Sequence, residues 1–384
     1  MKIRKILSAV TAAAVVLTLT ACNDGANTST PLETPSSSSS LFSSSSSKET
    51  SSSMPEIPVT DDSAFSYKYD SELGGMVVTN YLRVLPKVRI PDKFEGETVV
   101  GVDLGKCKNE ITELIMPESV KSIKLSDAIR KSLQYVNIPK SMTTVDGFSN
   151  CTGLTSVTIP DSVTEIGIAA FKGCTGLTSI TIPDSVTEIG NASFEKCTGL
   201  TSVTIPDSVT IIGRYAFSFC TSLTSVIIPD SVTTIESFAF KQCTGLTSII
   251  IPDSVTIIDS NAFNGCTGLT SVTIPKSVSK IGGLAFCDCT GLTSITIPDG
   301  VKEIENSTFS GCTGLTSVTI PNSVSVIGHE AFKGCIGLTN LTIPDSVSKI
   351  IDDAFYGCTA KITYKGKTYT PDNYDDLYKA INGN

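Results

Sequence analysis

Tryptophan is absent, histidine occurs once, at position 329, and charged residues make up only 17% of the 384. A single histidine leaves one place around which a Ser/His/Asp relay or an imidazole-rich metal centre can be assembled. No phosphate-cradling Gly-rich loop, dinucleotide fingerprint or His-Glu-x-x-His run is present. A cationic excess is also lacking. The net charge is −9, which excludes the positive field that draws a protein to nucleic acid or to an anionic bilayer. The one long apolar run, residues 6–19, is too short to span a bilayer comfortably. What remains is rich in Thr, Ser, Gly, Pro and aliphatic residues, a mixture that suits many short strands and turns.

The apolar run follows Lys2, Arg4 and Lys5 and ends at Leu19-Thr20-Ala21-Cys22. A basic start, a short apolar stretch and a small-residue site form an export signal, to be set aside before any fold is considered. Without those three bases the charge is −12. The four residues 19–22 resemble a bacterial lipobox. That resemblance implies cleavage before Cys22 and acylation of its sulfur, with more than one acyl chain for a stable anchor. Serine runs at 36–40, 43–47 and 51–53, with Pro31, Pro35, Pro55 and Pro58 around them, fill the next segment. Such a sequence buries too little apolar surface to offset its chain entropy and is expected to be a tether, spanning on the order of 35 Å as a coil.

A fixed period dominates the rest. Cys151, Cys174, Cys197, Cys220, Cys243, Cys266, Cys289, Cys312, Cys335 and Cys358 follow one another every 23 residues, and Pro160 to Pro344 keep the same step. A constant repeat of this length is the mark of a solenoid. In the unit CTGLTSITIPDSVTEIGNASFEK, residues 174–196, Ile180 and Ile182 alternate with Ser179 and Thr181 as a short strand does. Pro183 ends the strand and Asp184-Ser185 turn the chain. Leu177, Ile180, Ile182, Val186, Ile189, Phe194 and Cys197 are expected to face one core, which only stacked neighbours can cover.

This unit is similar to the bacterial BspA-like (Treponema-type) leucine-rich repeats, whose pattern is close to LxxLxLPxSLxxIGxxAFxxCxx. The match is strong over about 150–358. Upstream, Cys107, Leu114, Met116-Pro117 and residues 120–123 form one degraded unit, and Leu133, Val136, Ile138-Pro139, Met142 and Val145 another. Residues 65–91 resemble the hairpin that often precedes such arrays. The resemblance implies a β-rich solenoid: a right-handed leucine-rich-repeat array of 23-residue units with parallel strands on the concave face, capped at both ends. The organisation that follows is a signal peptide at 1–21, a tether at 22–62, a cap hairpin with degenerate repeats at 63–150, the regular array at 151–359 and a C-terminal cap at 360–384. In that cap, KITYKGKTY reads as a hairpin around Lys365-Gly366-Lys367, and residues 372–382 as a short helix.

Columns of like residues carry the remaining candidates. The ten cysteines share one slot and are expected to stack as a buried, reduced ladder, because parallel stacked side chains do not offer disulfide torsion. Cys287 breaks the pattern two residues before Cys289 and is expected at the surface; no second paired motif makes it a metal site. His329, between Gly328 and Glu330, is expected to be solvated. Asp161, Asp184, Asp207, Asp230, Asp253, Asp299 and Asp345 form an acidic column, interrupted by Lys276 and Asn322. Each is expected to cap its own turn through its side chain rather than to hold calcium. The threonine column at 158, 181, 204, 273, 296, 319 and 342 follows ordinary strand propensity, with ice binding the remote alternative.

Specificity then falls to positions that differ between units. Tyr215 and Phe238 share a slot in adjacent units, Phe219 lies nearby, and Ile227 and Ile250 replace threonine on the strand. Exposed, such residues form a contact surface. The expected function is a non-catalytic, lipid-anchored bacterial surface module, monomeric and without cofactor or metal. It binds an extracellular protein or glycan and meets the membrane only through its lipid. A cell-wall or polysaccharide-associated binding protein is the alternative, and an enzyme carrier the reading with least support.

Overall fold

The computed structural model describes residues 57–383. The expected signal peptide, Cys22 and the serine-rich run lie outside them. The described chain winds as a parallel solenoid of about 13 turns. Two ladders of short strands run along it. The first begins at Lys87–Arg89, Glu113–Ile115 and Tyr135–Val136 and continues through Ser179–Thr181, Ser202–Thr204 and their repeats to Lys361–Tyr364. The second begins at Glu97–Leu104 and Ser122–Leu125 and continues through Glu165–Ile166 and Glu188–Ile189 to Lys349–Ile350. Register follows the sequence period without slip: Ser179 faces Ser202, Ile180 faces Val203 and Thr181 faces Thr204.

Each coil closes where the sequence places its punctuation. The Val186 amide donates to the Pro183 carbonyl at 3.0 Å, so one turn joins the two strands. All seven inward positions of this coil are buried. Ten phenylalanines, Phe148 to Phe355, stack along the interior with ring centroids 5.3–5.8 Å apart and planes within 16° of parallel. A parallel offset stack at this spacing suits the ring quadrupoles and leaves no void between coils.

Hydroxyls sew neighbouring coils together from outside this core. Thr178 donates to the Thr155 carbonyl, Ser185 to Val163 at 2.6 Å and Thr187 to Thr164. The same three bonds recur, for instance from Thr201, Ser208 and Thr210. Each contributes about 0.5–1.5 kcal/mol net.

The third side of the coil has no regular strand. Alternate amides still reach the next coil: Ala169, Phe171 and Gly173 donate to the carbonyls of Asn191, Ser193 and Glu195 at 2.9, 2.8 and 2.7 Å. This needs two left-handed residues per coil. One column holds Ala169, Ala192, Tyr215 and Phe238 (φ 54–63°), the other Asn150, Gly173, Lys196, Phe219 and Gln242 (φ 58–72°). A side chain with a Cβ is strained there by about 1–2 kcal/mol. Lys196→Gly is therefore expected to raise stability by about 0.5–1 kcal/mol after the entropy that glycine adds to the unfolded chain. Urea unfolding checks this, and a lower midpoint would show that Lys196 is not strained.

Both ends are covered. At the start, strand Gly75–Tyr81 pairs antiparallel with Phe65–Asp70 and parallel with Glu97–Leu104, so the hairpin lies over the first strand of the second ladder. Residues 57–62, expected to belong to the tether, pack on the cap. Ile57 is only 5% exposed and the Thr60 amide donates to the Arg89 carbonyl, so the cap takes up the chain from residue 57. Helix α1, Asp127–Ser132, replaces the left-handed turns in the coil between Pro117 and Pro139, its first turn capped by Ser126. At the far end, Lys365 and Gly366 (φ 47° and 75°) form the tight turn into the antiparallel strand Lys367–Tyr369. Helix α2, Tyr374–Asn382, lays Tyr374, Leu377 and Ile381 on the last coil. The Asn382 side chain meets both the amide and the carbonyl of Ile350, which have no further coil to pair with.

Candidate functional site

The cysteine column is interior framework. All ten of its thiols are free and buried. The eight from Cys174 to Cys335 do more than fill space: Cys174 donates its S–H to the Phe148 carbonyl at 3.1 Å, Cys197 to Phe171 and Cys243 to Phe217, one coil back each time. Burial pushes the thiols of Cys220, Cys266 and Cys312 up to about 12. Cys287 was expected at the surface but is 8% exposed. Burial first, then Asp288 beside it, pushes its thiol up to about 12.

The acidic column also differs from its expectation. The turn it sits in is closed by backbone, Val186 amide to Pro183 carbonyl, and the hydroxyl that bonds is that of the next residue, Ser185. The aspartates project into water without capping their turns. Among the described residues, no three His, Cys, Asp or Glu side chains converge to hold a metal ion. The imidazole of His329 is half-exposed, with Nδ1 2.7 Å from the Asp352 carbonyl and Nε2 3.7 Å from the Glu330 carboxylate. It ties its coil to the next.

Of the five residues proposed as one contact patch, the structure makes two groups. Tyr215 and Phe238 stack face to face, with centroids 4.5 Å apart and planes 7° from parallel, and Lys241 Nζ lies 5.3 Å from the Phe238 ring. Both rings are half-buried and start from left-handed backbone on the third side of the coil. Phe219, 37% exposed, occupies the other left-handed column on the same side. Ile227 and Ile250 are paired neighbours on the first ladder, 65% and 56% exposed. The turn at Val232 and the second-ladder strand Thr234–Ile235, with Val232 and Ile235 buried, separate the two groups along the chain. A further apolar surface, not foreseen, lies on the N-terminal cap, where Val59, Val84 and Leu85 line a groove of about 1030 Å³ with Arg83 and Lys87 at its edge. Its residues fall outside the repeat, so no period marks them.

With this geometry in view, comparison with known families is decisive for the array. Residues 146–258 and 233–361 match the model of the BspA type leucine rich repeat region, in six copies. The chain belongs to this family. Among solved structures, the BspA-type array is similar to a leucine-rich repeat protein from Bacteroides ovatus, with 27% identity, a TM-score of 0.54 and coverage of 80% of this chain and 88% of that one. It also resembles a leucine rich cell surface protein from Faecalibacterium prausnitzii (25% identity, TM-score 0.49, 83% and 97% covered). The pneumococcal vaccine antigen PcpA shares the fold at 18% identity, with a TM-score of 0.53 and 80% and 89% covered. No curated protein matches the chain.

Proposed function

We propose that this BspA-type array is a non-catalytic recognition module, displayed on the bacterial surface as a monomer and anchored through a lipid on Cys22. The observation that carries the recognition reading is the Tyr215–Phe238 pair. Its rings leave the core on strained backbone, stack in adjacent coils and stay half-exposed beside Phe219 and Lys241. Rigid aromatics with a flanking cation are what interface anchors are made of. The repeat frame holds its residues constant in the interior, on the strands and in the turn between them, which leaves the third side free to vary and to select a protein or glycan partner. The anchored reading is supported by the basic start, the apolar stretch and the Leu19-Thr20-Ala21-Cys22 run.

One experiment tests both parts. The protein is expressed in a bacterial host that processes lipoproteins, fractionated, released with detergent and screened on protein and glycan arrays. The wild type is expected in membranes, and Cys22→Ala in the soluble fraction. Tyr215→Ala/Phe238→Ala is expected to weaken capture of the best ligand at least tenfold, about 1.4 kcal/mol. Equal capture by the double variant would remove the aromatic pair from the site.

A further inference from the structure

The first ladder is not uniform along its length. It is continuous from Ser179–Thr181 to Ser271–Thr273, resumes for Ser294–Thr296 and Ser317–Thr319, and resumes again at Asn340–Thr342. At the two breaks the strands lie side by side without a regular ladder, and at the first the Thr293 amide still donates to the Thr270 carbonyl. Val272 and Val318, whose counterparts elsewhere in the ladder are buried, are only partly buried there. A groove of about 640 Å³ opens over the first break and one of about 430 Å³ over the second, and they share Thr319, Ile320 and Asn322. Together they make one trench across four strands, about 14 Å long at the usual strand spacing.

The trench is lined by solvent-facing hydroxyls, those of Ser271, Thr273, Ser294, Thr296 and Thr319. Its rim is the column that elsewhere carries aspartate. Here it reads Lys276, Asp299, Asn322 and Asp345, whereas the five coils before it present Asp161, Asp184, Asp207, Asp230 and Asp253. An anion sliding along this edge is repelled by every coil up to 253 and first meets a cation at Lys276. The neighbouring Lys280 is engaged by Glu305 at 3.7 Å.

We infer that this trench is a binding site for an oligosaccharide bearing a carboxylated sugar, with its carboxylate at Lys276. Sugars offer alternating hydroxyl rims and C–H faces. The trench answers the first with Ser/Thr hydroxyls, Asp299 and Asn322, and the second with the exposed flanks of Val272 and Val318. A few polar groups that fix orientation over an apolar floor are the usual build of a small-ligand site. A protein partner would favour aromatic anchors, which the trench lacks and which lie instead at Tyr215 and Phe238. This inference goes beyond the recognition reading and stands on a different side of the coil.

Titration calorimetry at low salt tests it, using the whole chain, a tetragalacturonate as probe and its methyl ester as the uncharged control. Lys276→Asp and Lys276→Asp/Asn322→Asp install the residue that seven other coils carry, so the fold tolerates them; an unchanged melting temperature checks this. The acid is expected to bind, the ester at least tenfold more weakly, and Lys276→Asp to weaken the acid at least tenfold, while Tyr215→Ala/Phe238→Ala binds it as the wild type does. No binding of the acid, equal binding of the ester, or equal binding by Lys276→Asp/Asn322→Asp would overturn the inference. Loss of the sugar in the Tyr215/Phe238 variant alone would place it on the aromatic pair and overturn the trench equally.

Discussion

Phe240→Ala is expected to cost about 3–5 kcal/mol, the range for removing a fully buried ring from a core that cannot collapse around the gap. Phe240 is wholly buried in mid-array, with its ring 5.6 Å from both Phe217 and Phe263. Those neighbours are pinned by backbone bonds to the following coil, from the Phe217 amide to the Ala239 carbonyl and from the Phe263 amide to the Ala285 carbonyl, so they cannot move in to fill the space. The stability of a solenoid resides in nearest-neighbour interfaces, and the substitution weakens two of them. The array is therefore expected to lose cooperativity as well as stability. Urea unfolding followed by circular dichroism should show a lower midpoint and a shallower or two-step transition. A sharp single transition with a loss under about 1 kcal/mol would contradict the stacked-interface account.

The second large effect concerns the thiols. With Cys220, Cys266 and Cys312 pushed up to about 12 from a reference of 9.0, their reactive thiolate is suppressed about a thousandfold near pH 8 before access is considered. Native protein is expected to resist a thiol reagent at every column cysteine, and urea to release all ten together. The same shift sets a pH dependence. Burial disfavours the charged thiolate, so the folded state holds the proton more tightly than the unfolded one. That contribution is fully present below pH 9 and is lost as pH rises from 9 through about 12, so alkali is expected to lower the melting temperature in that window. Reagent kinetics and melting curves from pH 7 to 11 check both statements. Fast labelling of a native column cysteine would overturn them.

The fold was legible because it needs only the distinction between inside and outside. Leu177, Ile180, Ile182, Val186, Ile189, Phe194 and Cys197 recur at fixed offsets, and the structure buries each of them. The closing hairpin was equally plain, since Lys365-Gly366 asks for a tight turn. Other features depend on information that side-chain polarity does not carry. The left-handed columns are visible only where glycine occupies them, as at Gly173 and Gly265, and Tyr215 or Lys196 conceals the same backbone. Asp184 has the chemistry of a turn cap, but Pro183 and Val186 close that turn without it. Cys287 looked external by slot, yet it is small and apolar enough to be covered. The ladder breaks are the least legible. Ser271-Val272-Thr273 repeats Ser202-Val203-Thr204 letter for letter, and only the first stands at the end of a paired run.

The strict in-register stacking has an evolutionary corollary. Because every interior joint is chemically the same, excising residues 174–196 would bring Gly173 against Cys197, a junction of the kind already present at Gly173–Cys174. Unequal exchange between copies can thus lengthen or shorten the molecule by whole units while preserving its weld points. Other lengths are confined to the N-terminal coils, where Pro91, Pro117, Pro139 and Pro160 lie 26, 22 and 21 residues apart and the connections between strands take up the difference. Within the regular array, length is in this way a quantised trait, open to drift in steps of 23 residues.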